Sequence, residues 1–431
     1  MKNPSPLLSA LFILVILFLT PGCLKDHCTD MSSFKTYSPI YMSPSVFRSA
    51  VKSGPARAIG QTGKIYFQNG YLFLNEPDSG IHVIDDRDPA NPKNISFINI
   101  PGNIDMAVNG NILYADSYVD LVAIDISDPD NIKVAKRIEN VFPLRYFTYG
   151  FQDDPAGKGM IVGFRAKDTV VKKSCDIPVN YNGYYYDAAQ NTLYAAAAAN
   201  VPPPAANTSL PGSTGGSTAR FTLMTHYLYT VNQSTLRLYN VVQPDNPVAG
   251  DSINLSQMVE TIFPYEQYLF IGSPLGMLIY EASNPEQPVF KSKFLHFYGC
   301  DPVVAQNGYA YVTIRSGTAC HTTNINELDI VNLSDMNNPS LVTILPLTNP
   351  HGLAVDGDHL IVCDGTGGVR FINISDKSSP KILKTINNVI AHDAIALNGL
   401  LIVTAQNGLY QYDYHDFSNP RLLSKINLAS K

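Results

Sequence analysis

The chain has 431 residues, of which 15% are charged and 10% are aromatic, and its formal net charge is −6. A negative balance argues against nucleic-acid binding, because that function requires a basic surface. There are 25 tyrosines but no tryptophan, which excludes the Trp-Asp signature of WD40 repeats.

Residues 1–22 are predicted to be a lipoprotein signal peptide. They carry one positive residue, Lys2, then a 13-residue apolar run interrupted by a single serine, and Gly22 precedes Cys23. Thr20 stands where such signals usually have leucine. The apolar run is too short for a helix that spans a bilayer. We therefore expect cleavage before Cys23 and acylation of that cysteine, with ordinary signal-peptide cleavage or an uncleaved anchor as the alternatives.

Seven similar units follow, over residues 63–431, behind an N-terminal segment and tether at residues 23–62. Each unit has short alternating apolar runs and a turn rich in Asp, Ser, Asn and Pro, and the units recur about every 41 residues apart from one large and one small insertion. The second unit divides into four β-rich segments, at residues 104–109, 111–116, 119–126 and 132–138.

Four antiparallel strands form a sheet too small to bury both of its faces alone. Stacking seven such sheets around one axis solves that problem. The sequence therefore predicts an all-β fold, a seven-bladed β-propeller of four-stranded antiparallel blades.

Several third strands share a sequence of the form Leu-Val-Ile-Val-Asp. It is clearest at residues 81–85, 121–125, 328–332 and 369–373, and it is accompanied by segments 350–353 and 363–368. On these residues the chain resembles, over positions 23–431, the LVIVD-repeat β-propeller surface lipoproteins of Gram-negative bacteria, many of them from Bacteroidetes. The resemblance implies the fold and little about activity. Copies three and four have Asn240 and Glu281 in place of the Asp, so we expect its role to be structural and not repeated in every blade.

The residues after Cys23 bear on location. Leu24, in the second mature position, is not the aspartate that retains lipoproteins in the inner membrane. Lys25 and Asp26 resemble the short charged tag that directs lipoproteins of Bacteroidetes to the cell surface. We therefore expect a lipid-anchored, monomeric outer-membrane protein, exposed either to the periplasm or at the surface.

The large insertion spans residues 144–220. Residues 159–165 and 169–171 are strand-like, and they suggest an overlong hairpin. Residues 195–217 are Ala, Pro, Gly, Ser and other uncharged residues, a composition that cannot bury enough apolar surface to order itself. This part is interpreted as a surface loop, or alternatively as a lid or partner-binding arm.

The mature chain keeps five further cysteines in an oxidising compartment. Cys300 opens the first strand of the fifth blade and Cys320 lies between its second and third strands. Those two places share one face of the blade, so we expect a disulfide between them. Cys28 and Cys175 form a second candidate pair by elimination. Cys363 ends an apolar run and is interpreted as a buried free thiol in preference to a nucleophile.

Ionisable residues recur where the first strand of a blade begins and the second ends, whereas Asn-Gly turns mark the opposite rim. The candidate ligand-binding residues, taken from this set, are Asp301, Arg315, His351, Asp364, His392 and Asp393. The full set is Asp105, Asp116, Arg220, Glu260, Asp301, Arg315, His351, Asp364, His392 and Asp393.

Two functions stay open for this rim. The first is a binding module for a protein, a glycan or a small ligand. The alternative is an extracytoplasmic hydrolase or lyase, in which Asp301, His351, His392 and Asp393 could together hold a divalent metal. Against both, such side chains can simply hydrogen-bond the neighbouring blade. No cofactor and no established catalytic motif is identifiable.

Overall fold

The computed structural model describes residues 29–174, 184–187, 192–196, 216–295, 302–316 and 324–429. The chain divides into two compact units. One comprises residues 1–40 and 163–205, and the other comprises residues 41–162 and 206–431.

The N-terminal part contributes β1 (Thr29–Met42), helix α1 (Pro44–Ser49) and β2 (Lys52–Pro55). Proline is favourable at the start of α1, because its fixed φ suits a helix and the amide N–H that it lacks would have no partner there. Phe47 of α1 is fully buried. It packs beside Val119 and Met160.

The first two blades follow directly in the sequence. Blade 1 contains β3 (Ile65–Gln68), β4 (Tyr71–Glu76), β5 (Gly80–Asp85) and β6 (Lys93–Asn99). Blade 2 contains β7 (Met106–Asn109), β8 (Ile112–Ser117), β9 (Asp120–Asp125) and β10 (Lys133–Ile138). β2 pairs with β6, so blade 1 has a fifth strand that the repeat pattern did not predict.

The insertion supplies β11 (Met160–Ser174), β12 (Tyr184–Asp187) and β13 (Thr192–Ala196). With β1 these strands form a four-stranded sheet in the order β11-β1-β13-β12. The predicted hairpin at residues 159–171 is therefore wrong, because this stretch belongs to one continuous strand of 15 residues. Two 3₁₀ turns, Thr148–Gly150 and Gly216–Thr218, flank this region.

Five blades complete the ring. Blade 3 contains β14 (Phe221–Met224), β15 (Tyr227–Asn232), β16 (Thr235–Asn240) and β17 (Val248–Asn254). Blade 4 contains β18 (Thr261–Tyr265), β19 (Tyr268–Ser273), β20 (Gly276–Glu281) and β21 (Val289–Leu295). Blade 5 contains β22 (Val303–Gln306), β23 (Tyr309–Ile314), β24 (Glu327–Asn332) and β25 (Ser340–Pro346). Blade 6 contains β26 (Leu353–Asp356), β27 (His359–Cys363), β28 (Val369–Asn373) and β29 (Lys381–Ile386). Blade 7 contains β30 (Ala391–Leu397), β31 (Leu400–Ala405), β32 (Gly408–Asp413) and β33 (Arg421–Asn427).

The fold is thus the predicted seven-bladed β-propeller. Within a blade each strand pairs antiparallel with the next, and the first strands of adjacent blades contact one another around the axis. Apolar clusters fill the spaces between blades. Leu72, Leu74 and Ile84 of blade 1 pack with Ile402 and Leu409 of blade 7. Neither of these blades takes strands from the other end of the chain, so side-chain packing closes the ring together with hydrogen bonds such as that from the backbone N–H of Ala429 to the backbone oxygen of Ile59, at 2.7 Å.

The acidic residue of the LVIVD sequence closes the turn to the fourth strand. Asp125 Oδ1 accepts a hydrogen bond from the backbone N–H of Ser127 at 2.9 Å. Asn240 makes the same bond to Val242 at 3.0 Å. In blade 4, Glu281 instead accepts from the hydroxyl of Ser283 at 3.0 Å. The role is therefore structural, and asparagine fulfils it as well as aspartate does.

Among the residues that the model describes, no helix has the length and apolar character needed to cross a bilayer.

Candidate functional site

The two rims of the propeller differ in chemistry. The turn rim carries the hairpins between first and second strands, where Asn69 and Gly70 have φ values of 53° and 75°. Consecutive positive φ angles define the tight hairpin turn that favours Asn-Gly. The opposite rim, where the first strands begin, is called the polar rim below.

A layer of buried charge surrounds the axis at the polar rim. Each blade contributes one residue to this layer. It is the residue at the start of the first strand that lies opposite the fifth residue of the second strand of the same blade. Four neighbouring blades, 7, 1, 2 and 3, contribute Asp393, Lys64, Asp105 and Arg220, each at most 8% exposed. Blades 4, 5 and 6 contribute Thr261, Pro302 and Gly352. Charge therefore alternates in sign around one side of the ring.

Burial moves the pKa of each of the four groups towards its neutral form. It raises the pKa of Asp393 to about 8 and lowers that of Lys64 to about 8. The pKa of Asp105 is raised and that of Arg220 is lowered for the same reason. Attraction between unlike neighbours opposes these shifts.

The 3₁₀ turn Gly216–Thr218 lies within this layer, and we call it the axial plug. Lys64 Nζ donates to the backbone oxygen of Thr218 and to its hydroxyl, the latter at 3.1 Å. Ser217 Oγ donates to Asp393 Oδ1 at 3.1 Å and accepts from the backbone N–H of Leu353 at 2.9 Å. The end of the predicted surface loop is therefore buried, and its polar groups are hydrogen-bonded to Lys64, Asp393 and Leu353.

The plug depends on a glycine beside it. A Cβ atom at Gly352 would lie 1.9 Å from Asp393 Oδ1 and 2.9 Å from Ser217 Oγ. Any larger residue would therefore displace the carboxylate or the plug.

His351 and His392 lie together at the polar rim. Their ring centroids are 5.3 Å apart and their planes are at 88°. Arg315 Nη1 lies 2.7 Å from His351 Nδ1 and 2.9 Å from His351 Nε2. A guanidinium only donates, so one of these two ring nitrogens accepts and the ring is neutral. Burial, Arg315 and His392 together lower the pKa of His351 to about 2, and burial and Arg315 lower that of His392.

Asp364 lies in the same region but has a different environment. It is fully buried, and its Oδ1 accepts from the backbone N–H groups of Thr348 and Asn349 at 2.9 and 2.8 Å. Its Oδ2 accepts from Arg370 Nε at 2.9 Å. These bonds fix the loop at residues 348–349, so Asp364 supports the wall of the site and is not presented to a ligand.

Asp116 is also structural in geometry, and Glu260 is buried near two arginines. Asp116 Oδ1 accepts from the backbone N–H groups of Ile104 and Asp105 at 2.8 and 3.0 Å. Glu260 is 6% exposed, and its charge raises the pKa of both Arg220 and Arg315.

An open cleft of about 930 Å³ lies next to the histidine pair, between blades 6, 7 and 1. Besides the two imidazoles, its polar lining is mostly carboxamide, from Gln61, Asn349, Gln406, Asn407 and Asn427. Ile390 and Leu428 add apolar patches, and Lys425 is the charged residue among the side chains that line it. Neutral hydrogen-bonding groups therefore dominate the cleft.

Several sequence predictions fall outside the described residues. They concern Asp301, the acylation of Cys23 and the candidate disulfide partners Cys28, Cys175, Cys300 and Cys320. Cys363 is buried and free, as predicted. Burial raises the pKa of its thiol, which makes it a poor nucleophile. Within the described ranges, no three His, Cys, Asp or Glu side chains are arranged to hold a metal ion.

Two central residues, Lys64 and Ser217, are not among those predicted from the sequence. Lys64 directly precedes the first strand of blade 1, and Asp105 directly precedes the first strand of blade 2. Alignment of the first strands could therefore have identified Lys64. Ser217 has no such signal, because it ends a low-complexity segment.

Comparison with known proteins supports the fold. The LVIVD repeat family model matches residues 103–138 and 350–388. No curated protein matches in sequence.

Solved structures with a similar fold have little sequence in common with this chain. The WD40 domain of Neurospora crassa Pan2 has 9% identity and a TM-score of 0.51, over 83% of this chain and 93% of that one. A protein from Lactobacillus plantarum has 10% identity and a TM-score of 0.50, over 83% and 98% of the two chains. The computationally designed protein Ika8 has 6% identity and a TM-score of 0.50, over 87% and 91%. At such identities the likeness concerns the fold alone.

Proposed function

We propose that this protein is an outer-membrane or cell-surface lipoprotein that binds glycans in the cleft beside His351 and His392. The observation that carries the proposal is the cleft itself, whose volume is about 930 Å³ and whose lining is rich in carboxamides and neutral imidazoles. Concave sites with a few convergent polar groups are the usual location of ligand binding.

The chemistry of the lining favours sugar hydroxyls. A carboxamide both donates and accepts hydrogen bonds, and so does a neutral imidazole. A sugar presents hydroxyl groups that do the same, together with apolar C–H faces that Ile390 and Leu428 could contact. A strongly cationic ligand would meet Lys425 and, behind His351, Arg315. The cleft therefore favours neutral or acidic saccharides.

The hydrolase or lyase alternative receives less support from this geometry. Arg315 donates to His351 and depresses its pKa, so His351 is not poised to exchange a proton near neutral pH. Asp364 is held by backbone N–H groups and by Arg370.

Calorimetric titration with malto-, cello-, xylo- and chondroitin-type oligosaccharides tests the proposal. We expect at least one saccharide class to bind. The double variant His351→Ala/His392→Ala should weaken binding of that saccharide about tenfold or more, and a tenfold loss of affinity corresponds to about 1.4 kcal/mol of binding free energy. His226→Ala is the matched control, because this exposed histidine lies in a hairpin of the turn rim.

A second variant separates binding from folding. Gln406 and Asn427 are exposed amides of the cleft, so Gln406→Ala/Asn427→Ala should weaken binding without lowering the thermal midpoint. Failure of every saccharide class to bind the wild-type protein would overturn the glycan assignment. Binding that neither double variant weakens would place the site elsewhere.

A further inference from the structure

A second, smaller pocket lies on the axis, on the other side of the axial plug from the polar rim. Its volume is about 220 Å³, and its walls come from the first strands of blades 7, 1, 2, 3 and 4. The walls are largely apolar and include Phe67, Met106, Phe221, Phe263 and Ile395. This site is separate from the glycan cleft and does not depend on it.

The pocket has one closed and one open end. Gly216 and Ala219, at the plug, line it on the side of the polar rim. Phe67, Pro264 and Leu397 are partly exposed and lie near the hairpins of the turn rim. A small molecule can therefore enter from the turn rim and reach the plug.

Lys64 lies at the closed end. The residue is among those that line the pocket, it is only 3% exposed, and its Nζ reaches Thr218 of the plug. Burial lowers its pKa to about 8, against the opposing influence of Asp105 and Asp393. A neutral lysine amine has two N–H groups and one lone pair. Thr218 offers two acceptors, its backbone oxygen and its hydroxyl, so the neutral amine can be held there with its lone pair unused.

We propose that the axial pocket binds small molecules with an apolar body and an aldehyde end, and that Lys64 condenses reversibly with that aldehyde. The nitrogen lone pair forms a bond to the carbonyl carbon as the C=O π electrons move to oxygen. The two N–H hydrogens leave with this oxygen as water, and a C=N double bond remains. Hydrolysis reverses the step, and no oxidant or other reactant is required.

The properties of the pocket fit this chemistry. Lysines that react with carbonyl compounds are commonly desolvated in apolar pockets or placed next to other cationic groups, since either arrangement increases the amount of free amine. Arg220 is such a neighbouring cation, and its charge also lowers the pKa of Lys64. A dry cavity of about 150 Å³ accommodates benzene, so about 220 Å³ admits a single substituted ring.

Reductive trapping tests the proposal. The folded protein is incubated with limiting 4-fluorobenzaldehyde and sodium cyanoborohydride, and the modified lysines are identified by peptide mass mapping. We expect Lys64 to be labelled at least about tenfold faster than the exposed Lys425. The probe 4-formylbenzoate should label Lys64 more slowly, because its carboxylate would have to enter apolar surroundings.

Two variants control for folding and access. Lys64→Met should abolish the fast label. Because that variant also removes the bonds to Thr218, Ile395→Phe provides an independent control that fills the pocket and keeps the lysine. This variant should retain its thermal midpoint within a few degrees and lose most of the label at Lys64.

Two outcomes would overturn the proposal. If Lys64 stays unmodified in folded protein while exposed lysines react, Lys64 only secures the plug. If Ile395→Phe leaves labelling of Lys64 unchanged, the reagent does not reach Lys64 through the axial pocket. Neither result bears on saccharide binding at the polar rim, so the two proposals fail separately.

Discussion

A buried polar pair lies at the seam between blades 1 and 7. Asp86 occupies the position that is Ile126 in blade 2 and Ile374 in blade 6, and it is 2% exposed. Gln411 of blade 7 donates to Asp86 Oδ1 at 2.5 Å. The remaining oxygens, Asp86 Oδ2 and Gln411 Oε1, are buried without a hydrogen-bond partner among the described residues.

This pair predicts a stabilising substitution. Burial raises the pKa of Asp86 from 3.8 to about 6, so the folded protein binds this proton more tightly than the unfolded chain does. The free energy of unfolding therefore falls by up to about 3 kcal/mol as the pH rises from about 4 to about 6. In Asp86→Asn the new amide can donate to Gln411 Oε1. We expect a higher thermal midpoint than wild type at pH 8 and a smaller difference at pH 4.5.

The comparison at two pH values separates charge from packing. A packing gain would be the same at both. A lower midpoint for Asp86→Asn at pH 8 would show that the charged form of Asp86 is stabilising at the seam.

At the scale of elements, helix α1 is fastened to blade 2 by Asp120. This carboxylate is fully buried and accepts two hydrogen bonds from Arg48, at 2.8 and 3.1 Å. It also accepts from Arg137 at 3.2 Å and from the backbone N–H of Asn140 at 3.0 Å. The two arginines would otherwise repel each other, so one acidic residue holds together a helix, a strand and a turn.

Asp120→Ala should therefore release α1. Removal of one partner from a buried ionic group typically costs about 3 to 5 kcal/mol, and the loss should appear as faster proteolytic cleavage within residues 44–49. Glu139→Ala is the control, since its carboxylate is half exposed and pairs only with Arg48, at 2.7 Å, among the contacts described. Its loss should cost less than about 1 kcal/mol. Equal protease resistance of wild type and Asp120→Ala would contradict this account.

The elements that could be predicted from sequence are those whose signals are local. The strands of blade 2 follow from apolar alternation and turn residues, and they match the structure to within two residues at each end. β2 and the axial plug could not be predicted, because each forms only through contacts distant in sequence. β2 needs the free edge of β6, and Ser217 needs Asp393, 176 residues away.

The same distinction applies to the candidate site. Equivalent positions in the repeat placed His351 and His392 on the polar rim, because register repeats from blade to blade. Position on the rim alone could not show that Asp364 and Asp393 have different roles. Asp364 is paired with Arg370 and two backbone N–H groups, whereas Asp393 holds the plug. That difference depends on side-chain partners that no periodicity specifies.

At the scale of the whole molecule, a ring with two chemically different rims has two pockets that need not interact. The cleft beside His351 and His392 opens at the polar rim and the axial pocket opens at the turn rim, with the plug between the axial pocket and the polar rim. A protein tethered by its N-terminus to a membrane can present either rim to soluble molecules. The proposed location depends on this tether.

The proposed tether is the acylated Cys23, and it can be tested by metabolic labelling. An acyl chain contributes about 0.8 kcal/mol for each buried CH₂, and two or more chains on one residue give stable anchoring. Wild-type protein should incorporate radiolabelled palmitate and sediment with membranes after a carbonate wash. Cys23→Ala should lose the label and appear in the soluble fraction, whereas Cys28→Ala should retain the label. Lipid anchoring would be contradicted if the wild-type protein carried no label or if the Cys23→Ala variant stayed with the membranes. The mass of the N-terminal peptide would then distinguish ordinary signal-peptide cleavage from an uncleaved anchor.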